Sequence, residues 1–387
     1  MIDVLFVTNI PSPYRVEFFN ELGKHCNLTV WFEAKSESNR QWDVGEDGMN
    51  FKYEFLKGFT LGLDKHVNWN IIRKLKEKRF DLYVMGCYSS PTEMAAIAWL
   101  NANKIPFVLN SDGGFIAEGE SGWKRKLKTR FIATASGWLS SGKTCTDYLL
   151  HYGARKENVY EYPFASCTYN EDELAPMSDA DKDAFKRAEG LQGKVILSVG
   201  QFIPRKGLDG MIGSLADLRL EDTTVVAIGG GPLKERYTEI AREKKMEHLV
   251  LKDFMNRESL LSYYKAADLF VLPTRYDVWG LVINEAMTFG LPVVTTKGAG
   301  ASHTLVEEGV NGYAVEVDDY GALGRRCAAL LANDDLRSRF GAASRRKAEA
   351  YTIARMAERH VEIFRNETLR RKRAPSAGSP GEAARAL

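Results

Sequence analysis

One pattern extends through almost the whole chain: short apolar runs alternate with longer amphipathic stretches. The short runs predict buried strands, and the stretches between them predict helices. Strands joined by helices are typical of βαβ units, in which a parallel sheet is buried on both faces. The pattern therefore predicts an α/β fold. The predicted strands are residues 4–10, 28–32, 82–85 and 106–109 in the first half and 194–200, 224–228, 249–251, 269–273 and 293–295 in the second.

The pattern stops once, near the middle, in a polar segment that contains Glu171, Asp172, Glu173 and Pro176. Two doubly wound domains of similar size are therefore expected. Ligands of open parallel sheets bind beyond the carboxyl ends of the strands, so two such edges facing each other form one site between the domains. The expected units are a Rossmann-like domain at 1–170, a linker at 171–192, a second Rossmann-like domain at 193–350, a helix at 351–370 that packs back toward the first domain, and a disordered tail at 371–387.

Charge and cysteine content exclude several classes of protein. Lys and Arg total 53 against 51 Asp and Glu, a net charge of +2, which argues against a dedicated nucleic-acid-binding protein. The five cysteines are scattered without a CxxC pair, so they predict neither a zinc site nor a disulfide framework. No stretch approaches the roughly 18 apolar residues of a membrane span, and the N-terminus lacks the basic region of a signal peptide. We therefore expect a soluble, cytoplasmic protein.

A loop with two adjacent cations follows the first strand of the second half. Gly200 ends the strand, and Arg205 and Lys206 precede Gly207 at the start of a helix. Paired cations beside a helix N-terminus favour a phosphate or diphosphate, because the backbone amides and the helix dipole add to the side-chain charge. A solvated loop with two surface cations is the alternative.

Two carboxylates follow the predicted strand at 269–273. Asp277 lies in the loop, Gly280 opens an apolar helix, and Glu285 lies inside that helix. A carboxylate at such a position is costly unless a partner donates hydrogen bonds to it. Carboxylates suit sugar hydroxyls, and the amides at the start of the helix suit phosphate oxygens. The alternative, a dipole-favoured Asp277 and an exposed Glu285, does not explain why an acid interrupts so apolar a run.

Taken together and in this order, the cation loop at 200–207, the glycine run at 229–232 and the acidic segment at 277–285 followed by 290–294 resemble the retaining glycosyltransferases of family 4, which have the GT-B architecture. The resemblance implies transfer of a sugar from a nucleotide-diphosphate donor to a glycan or a lipid-linked acceptor, in polysaccharide or glycolipid biosynthesis. A UDP-sugar is favoured over a GDP-sugar. No cofactor and no metal ion are expected.

The same resemblance implies roles for particular residues. Lys206, helped by Arg205, would hold the diphosphate, and Glu285 would accept the ribose hydroxyls. Asp277 would contact hydroxyls of the donor sugar. The implied catalytic residues are Asp277, Glu285, Lys206 and Asp112. The implied donor-binding residues are Gly200, Gln201, Arg205, Lys206, Gly230, Phe254, Asp277, Gly280, Leu281, Val282 and Glu285.

Three positions depart from the family pattern. The first acid is Asp277 where glutamate is usual, and Gln201 stands where the family often has arginine. Many members carry a functional histidine after a central strand of the first domain, where this chain has Asp112 as the nearest polar candidate. An Asp-Gly-Gly turn explains Asp112 equally well.

The acceptor is expected to bind the first domain. Pro13, Tyr14 and Arg15 follow the first strand, at the edge that would face the cleft, and they are the predicted acceptor contacts. A plain helix N-terminus is the alternative.

The most basic stretch of the folded region is 123–132, in which Trp123, Leu127, Phe131 and Ile132 recur at helical spacing. Such a helix could rest on an anionic membrane at the inner face, or it could be a packed helix with a solvated cationic side.

Three other classes of protein share some of these features. A dinucleotide oxidoreductase is disfavoured because Lys234 stands where the third glycine of the fingerprint is needed. A nucleotide-sugar epimerase of the same architecture and a non-catalytic nucleotide-sugar-binding subunit both remain open.

Overall fold

The structure, a computed structural model, describes residues 1–37, 48–117, 119–166, 168–220 and 222–373, and of residue 373 only the backbone. The chain forms two parallel sheets covered by helices, so the predicted α/β fold with two doubly wound domains is confirmed. The elements of the first half are β1 (Asp3–Thr8), α1 (Pro13–Leu22), β2 (Asn27–Phe32), β3 (Lys52–Phe55), β4 (Gly58–Leu61), β5 (Lys65–Asn68), α2 (Ile71–Glu77), β6 (Leu82–Met85), α3 (Pro91–Ala102), β7 (Val108–Ser111), α4 (Gly122–Ile132), β8 (Gly137–Ser140), α5 (Lys143–His151) and β9 (Val159–Glu161).

The remaining elements lie between residue 171 and residue 373. They are α6 (Glu171–Leu174), α7 (Asp179–Glu189), β10 (Lys194–Val199), α8 (Leu208–Asp217), β11 (Thr223–Ile228), α9 (Lys234–Glu243), β12 (Leu249–Lys252), α10 (Arg257–Ala266), β13 (Leu269–Leu272), α11 (Leu281–Thr288), β14 (Val293–Thr296), α12 (Ser302–Leu305), β15 (Gly312–Val315), α13 (Tyr320–Leu331), α14 (Asp334–Ala348) and α15 (Ile353–Arg373).

The first sheet has the strand order β3-β2-β1-β6-β7-β8-β9, with every pairing parallel. Successive side chains of a strand point to opposite faces, and β1 shows the consequence. Val4 and Phe6 pack in the cluster that contains α1 and α15, whereas Leu5 and Val7 pack against α2 and α3. Burial on both faces explains why this strand is apolar throughout its interior.

The second sheet has the order β12-β11-β10-β13-β14-β15, again with parallel pairings. In each sheet the order reverses beside the first strand of the domain, between β1 and β6 and between β10 and β13. Such a reversal opens a crevice at the carboxyl ends of the strands, where doubly wound proteins bind their ligands. The loops after β10 and β13 are therefore the positions at which chemistry is expected.

The segment expected to be a linker contains two helices. Helix α7 packs on α10, where Phe185 meets Tyr263 with ring centroids 5.1 Å apart, and Lys182 and Lys186 reach Asp268 at 3.3 and 3.5 Å. One face of α7 is polar and solvated. The apolar residues of this segment are too few for the sequence to predict a packed helix. The second unit of the structure therefore begins before residue 193.

Helix α15 returns to the first domain and lies against α1. His360 of α15 and Phe18 of α1 have ring centroids 4.6 Å apart, and Arg371 donates to Ser136 Oγ at 3.0 Å. The helix thus extends to Arg373, so residues 371–373 are ordered where disorder was expected. The rest of the expected disordered tail, 374–387, lies outside the described residues.

Several strands were not predicted from the sequence, and most lie at edges. β3, β9 and β15 each close one side of a sheet, and β4 and β5 form a separate antiparallel hairpin. β3 alternates exposed and half-buried residues, so it lacks the apolar run that identifies a central strand. Among the described residues, no helix is long and apolar enough to cross a bilayer.

Candidate active site

The cation loop follows β10 and ends in a short 3₁₀ turn, Pro204–Lys206, before Gly207 and α8. The ammonium of Lys206 pairs with the carboxylate of Asp277, and both side chains are largely buried. Arg205 donates to the carbonyl of Tyr276 at 2.6 Å, and its guanidinium lies 3.9 Å from Asp277 Oδ1. The structure therefore brings together two loops that are about 70 residues apart in the sequence.

Asp277 is held by its backbone in the loop after β13. Its amide donates to the carbonyl of Gly298 at 2.8 Å, and its carbonyl accepts from the amide of Gly300 at 3.0 Å. The loops after β13 and β14 therefore lie side by side, and the carboxylate is aimed at the cations by a fixed backbone. Opposite charges so placed hold the cation loop against the end of β13.

Helix α11 opens beside this ion pair. Gly280 precedes the helix with a φ of 97°, in the left-handed region that favours glycine. Leu281 and Val282 are the first residues of the helix, and the first amides of an α-helix have no carbonyl partner within it. Two side-chain cations and a helix N-terminus are the arrangement that binds phosphate groups.

Glu285 lies one turn further along α11 and is half-buried. Tyr264 Oη donates to Glu285 Oε2 at 2.9 Å, and the Tyr264 ring stacks on Phe289 with centroids 5.4 Å apart. Loss of hydration raises the pKa of Glu285 to about 7, although the Tyr264 hydrogen bond and Arg257 oppose the shift. A carboxylate that is so poorly solvated gains from any ligand that supplies hydroxyl donors.

The other donor-side predictions surround the carboxyl ends of β10, β11 and β12. A small cavity beside Lys206 is lined by Gly200 and Gln201 among others. The carbonyl of Gly230 accepts from the amide of Phe202 at 2.7 Å, and a Cβ at Gly230 would lie 3.9 Å from the amide of Phe254. Phe254 is half-exposed, and its backbone amide lies near Gly230.

In the first domain, the buried Arg15 forms an ion pair with Asp112, which is partly exposed. Arg15 Nη2 lies 2.6 and 2.5 Å from the two oxygens of Asp112, which also accept from Asn110 at 3.0 Å and from Tyr162 at 3.1 Å. Burial by itself lowers the pKa of Arg15, but the charge of Asp112 and its neighbours outweighs this and raises it. The carboxylate predicted as catalytic is therefore engaged in holding Arg15.

Two of the predicted acceptor residues flank this ion pair. Pro13 is the first residue of α1, and Tyr14 Oη lies 3.5 Å from Asp112 Oδ2. Arg15 is 3% exposed, and its Nη1 has no hydrogen-bond partner among the described residues. The three predicted acceptor residues and Asp112 thus form one cluster at the carboxyl edge of the first sheet.

The loops of the two domains meet at this edge. A Cβ on Gly113, next to Asp112, would lie 2.2 Å from the carbonyl oxygen of Val278, next to Asp277. Phe115 and Tyr276 pack nearby with ring centroids 5.4 Å apart. The close approach of the Val278 carbonyl leaves no room for a Cβ at position 113, so glycine is required there. The same approach places the cluster around Arg15 and Asp112 opposite the cation loop.

Sequence analysis missed two residues that support the site. Tyr162, which donates to Asp112, follows the unpredicted strand β9. Arg275, between β13 and Asp277, donates to the cation loop at the Pro204 carbonyl and to Asp209 of α8. Arg275 lies at a strand end, and this position was its only signal in the sequence. Within the described ranges, no group of three or more His, Cys, Asp or Glu side chains is arranged to hold a metal ion.

Two facing doubly wound domains, each built on a parallel sheet, are the GT-B architecture. The chain has the fold of Anabaena Alr3699/HepE in complex with UDP (TM-score 0.76, 16% identity, 94% of this chain and 100% of that one). It also has the fold of sucrose-phosphate synthase from Thermosynechococcus elongatus (TM-score 0.73, 16% identity, 96% and 100%). Residues 179–347 match the family "Glycosyl transferases group 1".

Two curated relatives each match less than half of this chain. Mannosylfructose-phosphate synthase of Agrobacterium fabrum is 32% identical over 160 residues, which are 38% of this chain and 35% of that protein. The GDP-mannose-dependent alpha-(1-6)-phosphatidylinositol monomannoside mannosyltransferase of Mycolicibacterium smegmatis is 32% identical over 185 residues, 45% and 48% of the two chains. The matched region therefore spans half or less of these relatives.

Proposed function

We propose that this chain is a retaining glycosyltransferase that moves a sugar from a nucleotide diphosphate to a glycan or lipid-linked acceptor. The observation that carries the proposal is the meeting of Arg205, Lys206 and Asp277 beside the N-terminus of α11. Cations and helix amides converge there at a sheet switch point, and the acceptor-side cluster lies across the cleft. The group 1 family match of the second domain supports the same conclusion.

The chemistry requires stabilisation of charge on the departing diphosphate. Lys206 and Arg205 would leave Asp277 to bind the phosphate oxygens, and the amides of Leu281 and Val282 would add fixed dipoles. These groups supply the positive charge without a divalent ion, so we propose that none is needed. In same-face attack, the acceptor oxygen bonds to the anomeric carbon as the bond to the phosphate breaks. The acceptor proton passes to the departing phosphate oxygen, and the configuration is retained.

The remaining donor contacts follow from the positions of the acids. Glu285 would accept hydrogen bonds from the ribose, replacing the hydration it lacks. Asp277, freed from Lys206, would contact hydroxyls of the transferred sugar. Phe254 and Gly230 would line the base pocket. We favour a UDP-sugar over a GDP-sugar because the fold neighbour HepE was solved with UDP. The mannosyltransferase relative is GDP-mannose-dependent, so a GDP-sugar is the alternative donor.

The acceptor would bind the cluster of the first domain. Arg15 and Tyr14 would present donors at the cleft edge, and Asp112 would act by holding them. With its oxygens engaged by Arg15, Asn110 and Tyr162, Asp112 is better suited to positioning than to proton transfer.

The proposal is tested first by binding and then by turnover. UDP and GDP are titrated separately, and the nucleotide that fits should raise the thermal midpoint by mass action. UDP- and GDP-sugars are then incubated with candidate acceptors. Nucleotide release that depends on acceptor supports transfer, a changed sugar would indicate an epimerase, and binding without either would indicate a non-catalytic subunit. The absence of binding by either nucleotide would refute the proposed function.

We further propose that the enzyme works at the cytoplasmic face of a membrane, through α4. Trp123 and Leu127 are 64% and 41% exposed on this helix, beside exposed cations at Lys124, Arg125 and Lys126. Apolar anchors among cations suit the surface of an anionic bilayer.

One cation of α4 has a structural partner. Lys128 pairs with Glu120 at 2.7 Å and donates to Tyr152 at 3.2 Å, which fastens the helix to the domain and leaves its other cations outward. The hairpin β4–β5 exposes further apolar side chains, Phe59 and Leu61, each just over half exposed, and it packs on α3, as α4 does.

Flotation with vesicles tests the membrane contact. The wild-type chain should float with vesicles that contain anionic lipid and remain unbound to neutral ones. Trp123→Ser with Leu127→Ser should reduce flotation. The matched control, Leu218→Ser with Val310→Ser, removes exposed apolar residues of the second domain and should float as the wild type does. Wild-type protein that binds neither kind of vesicle would remove this part of the proposal.

A further inference from the structure

All three guanidinium nitrogens of Arg275 donate hydrogen bonds at the boundary between the cation loop and the loop after β13. Its two Nη atoms each donate to one oxygen of Asp209 at 3.0 Å, and Nε donates to Asp318 at 2.8 Å. The guanidinium also lies over the ring of Tyr320, 5.5 Å from the centroid. A lysine cannot reproduce these contacts, because its single ammonium lacks the planar set of donors that the guanidinium directs at several partners at once.

The same side chain reaches the backbone of the cation loop. Arg275 Nη1 donates to the carbonyl of Pro204 at 2.5 Å, and the Arg275 amide donates to the carbonyl of Arg205 at 2.8 Å. Thr274 Oγ1 also donates to the Arg205 carbonyl, at 3.1 Å. The backbone of the turn that carries Lys206 is therefore tied to the end of β13 on both sides of Arg205.

We propose that Arg275 is a positioning residue for the phosphate site: it ties the turn Pro204–Lys206 to α8 through Asp209 and so holds Lys206 and Arg205 at the mouth of the pocket. The inference rests on the proposed function only for the identity of the ligand. Asp209 lies in the first turn of α8, directly after the cation loop, so one guanidinium connects the turn and the start of α8 to the end of β13. A cation that must meet a phosphate in one geometry gains affinity when its backbone is held before the ligand arrives.

The test compares Arg275→Met with Arg275→Lys and with a matched control. Methionine keeps an apolar stem of similar length but removes every side-chain donor, while the backbone amide of residue 275 can still donate to the Arg205 carbonyl. Lysine keeps the charge but cannot reach Asp209, Asp318 and Pro204 together. The control is Arg326→Met, which removes an arginine of the same domain that pairs with Glu308 at 3.2 Å and lies 4.3 Å from the centroid of the Tyr313 ring.

The first readout is amide hydrogen exchange of the ligand-free chain over residues 201–208. We expect Arg275→Met to exchange faster there by about tenfold, with the rest of the domain as in the Arg326→Met control. Equal exchange in the two variants would overturn the proposal. Because no nucleotide is present, this result holds whether or not the proposed function is correct.

The second readout is the dissociation constant of UDP or GDP, whichever binds the wild-type chain. Arg275→Met should weaken binding by about tenfold, Arg275→Lys by less, and Arg326→Met by less than twofold. In turnover assays the donor KM should rise more than kcat falls, since the cations remain but are less well placed. Wild-type binding that Arg275→Met leaves unchanged would refute the positioning role, whereas a wild-type chain that binds no nucleotide would refute the proposed function alone.

Discussion

Replacing Glu285 by glutamine is expected to stabilise the folded chain above neutral pH. Its pKa lies at about 7 in the folded chain, against an ordinary value of 4.5, because burial removes hydration from the carboxylate. Between these two values the folded state keeps a proton that the unfolded state has released, so stability falls as pH rises through that interval. The full shift corresponds to at most about 3 kcal/mol. Since Glu285 is half-buried rather than enclosed, we expect about 1–2 kcal/mol.

Urea unfolding at pH 5 and pH 8 measures this effect. Relative to the wild-type chain, Glu285→Gln should gain about 1–2 kcal/mol in the free energy of unfolding at pH 8, and the gain should shrink toward pH 5. Glu243→Gln, which alters an exposed acid of α9 that lies 3.5 Å from Arg236, serves as the control and should show neither change. A gain of equal size at both pH values would refute the titration argument.

The same substitution is expected to weaken nucleotide binding by at least about tenfold, because a glutamine amide offers one acceptor oxygen where the carboxylate offers two. Calorimetric titration of the nucleotide at pH 8 measures this directly. A variant that is more stable and binds as tightly as the wild type would remove Glu285 from the ribose site while leaving the stability argument intact.

Three further predictions concern other parts of the cleft. Lys206→Ala should weaken nucleotide binding by about tenfold or more in the same titration, since it removes a charge-assisted contact to phosphate; unchanged affinity would refute its role. Asp112→Ala should lower the free energy of unfolding by about 3–5 kcal/mol in urea, because it leaves Arg15 charged and buried; a loss below about 1 kcal/mol would contradict this. Gly113→Ala should lower turnover more than nucleotide affinity, since its Cβ would lie 2.2 Å from the Val278 carbonyl and keep the two domains apart; normal turnover would refute the close approach.

A matched control accompanies the Lys206 prediction. Lys244 pairs with Asp217 at 2.7 Å, so Lys244→Ala also removes one cation from an ion pair of the second domain. Nucleotide affinity should stay within twofold of the wild type in this control. Equal losses in the two variants would point to a general electrostatic effect instead of a phosphate contact.

The architecture could be predicted because central parallel strands must be apolar on both faces. β1, β6, β10 and β13 are buried throughout or nearly so, and each is visible in the sequence as an apolar run. Some edge strands were missed for the converse reason. β3, for example, alternates exposed and half-buried residues, and nothing in its composition separates it from a loop.

The site was predicted in separate pieces. Lys206 and Arg205 were identified from their place before a helix, and Asp277 from its place after a strand, but no rule of spacing states that they touch. Arg15 was predicted as an acceptor contact and Asp112 as a catalytic candidate, and the structure makes them partners. Arg15 and Asp112 are 97 residues apart, so the sequence could not show that they form an ion pair. The pair follows from the placement of the strands that precede them in one sheet.

What the sequence by itself determined is the periodicity: which runs are strands, where the two domains divide in outline, and which loops carry charge at strand ends. These are local properties, set by burial within a few residues. The tertiary structure alone decided which of those charges meet and that Gly113 must let Val278 approach. Those outcomes depend on strand order and on the packing of one domain against the other, and both join residues that lie far apart along the chain.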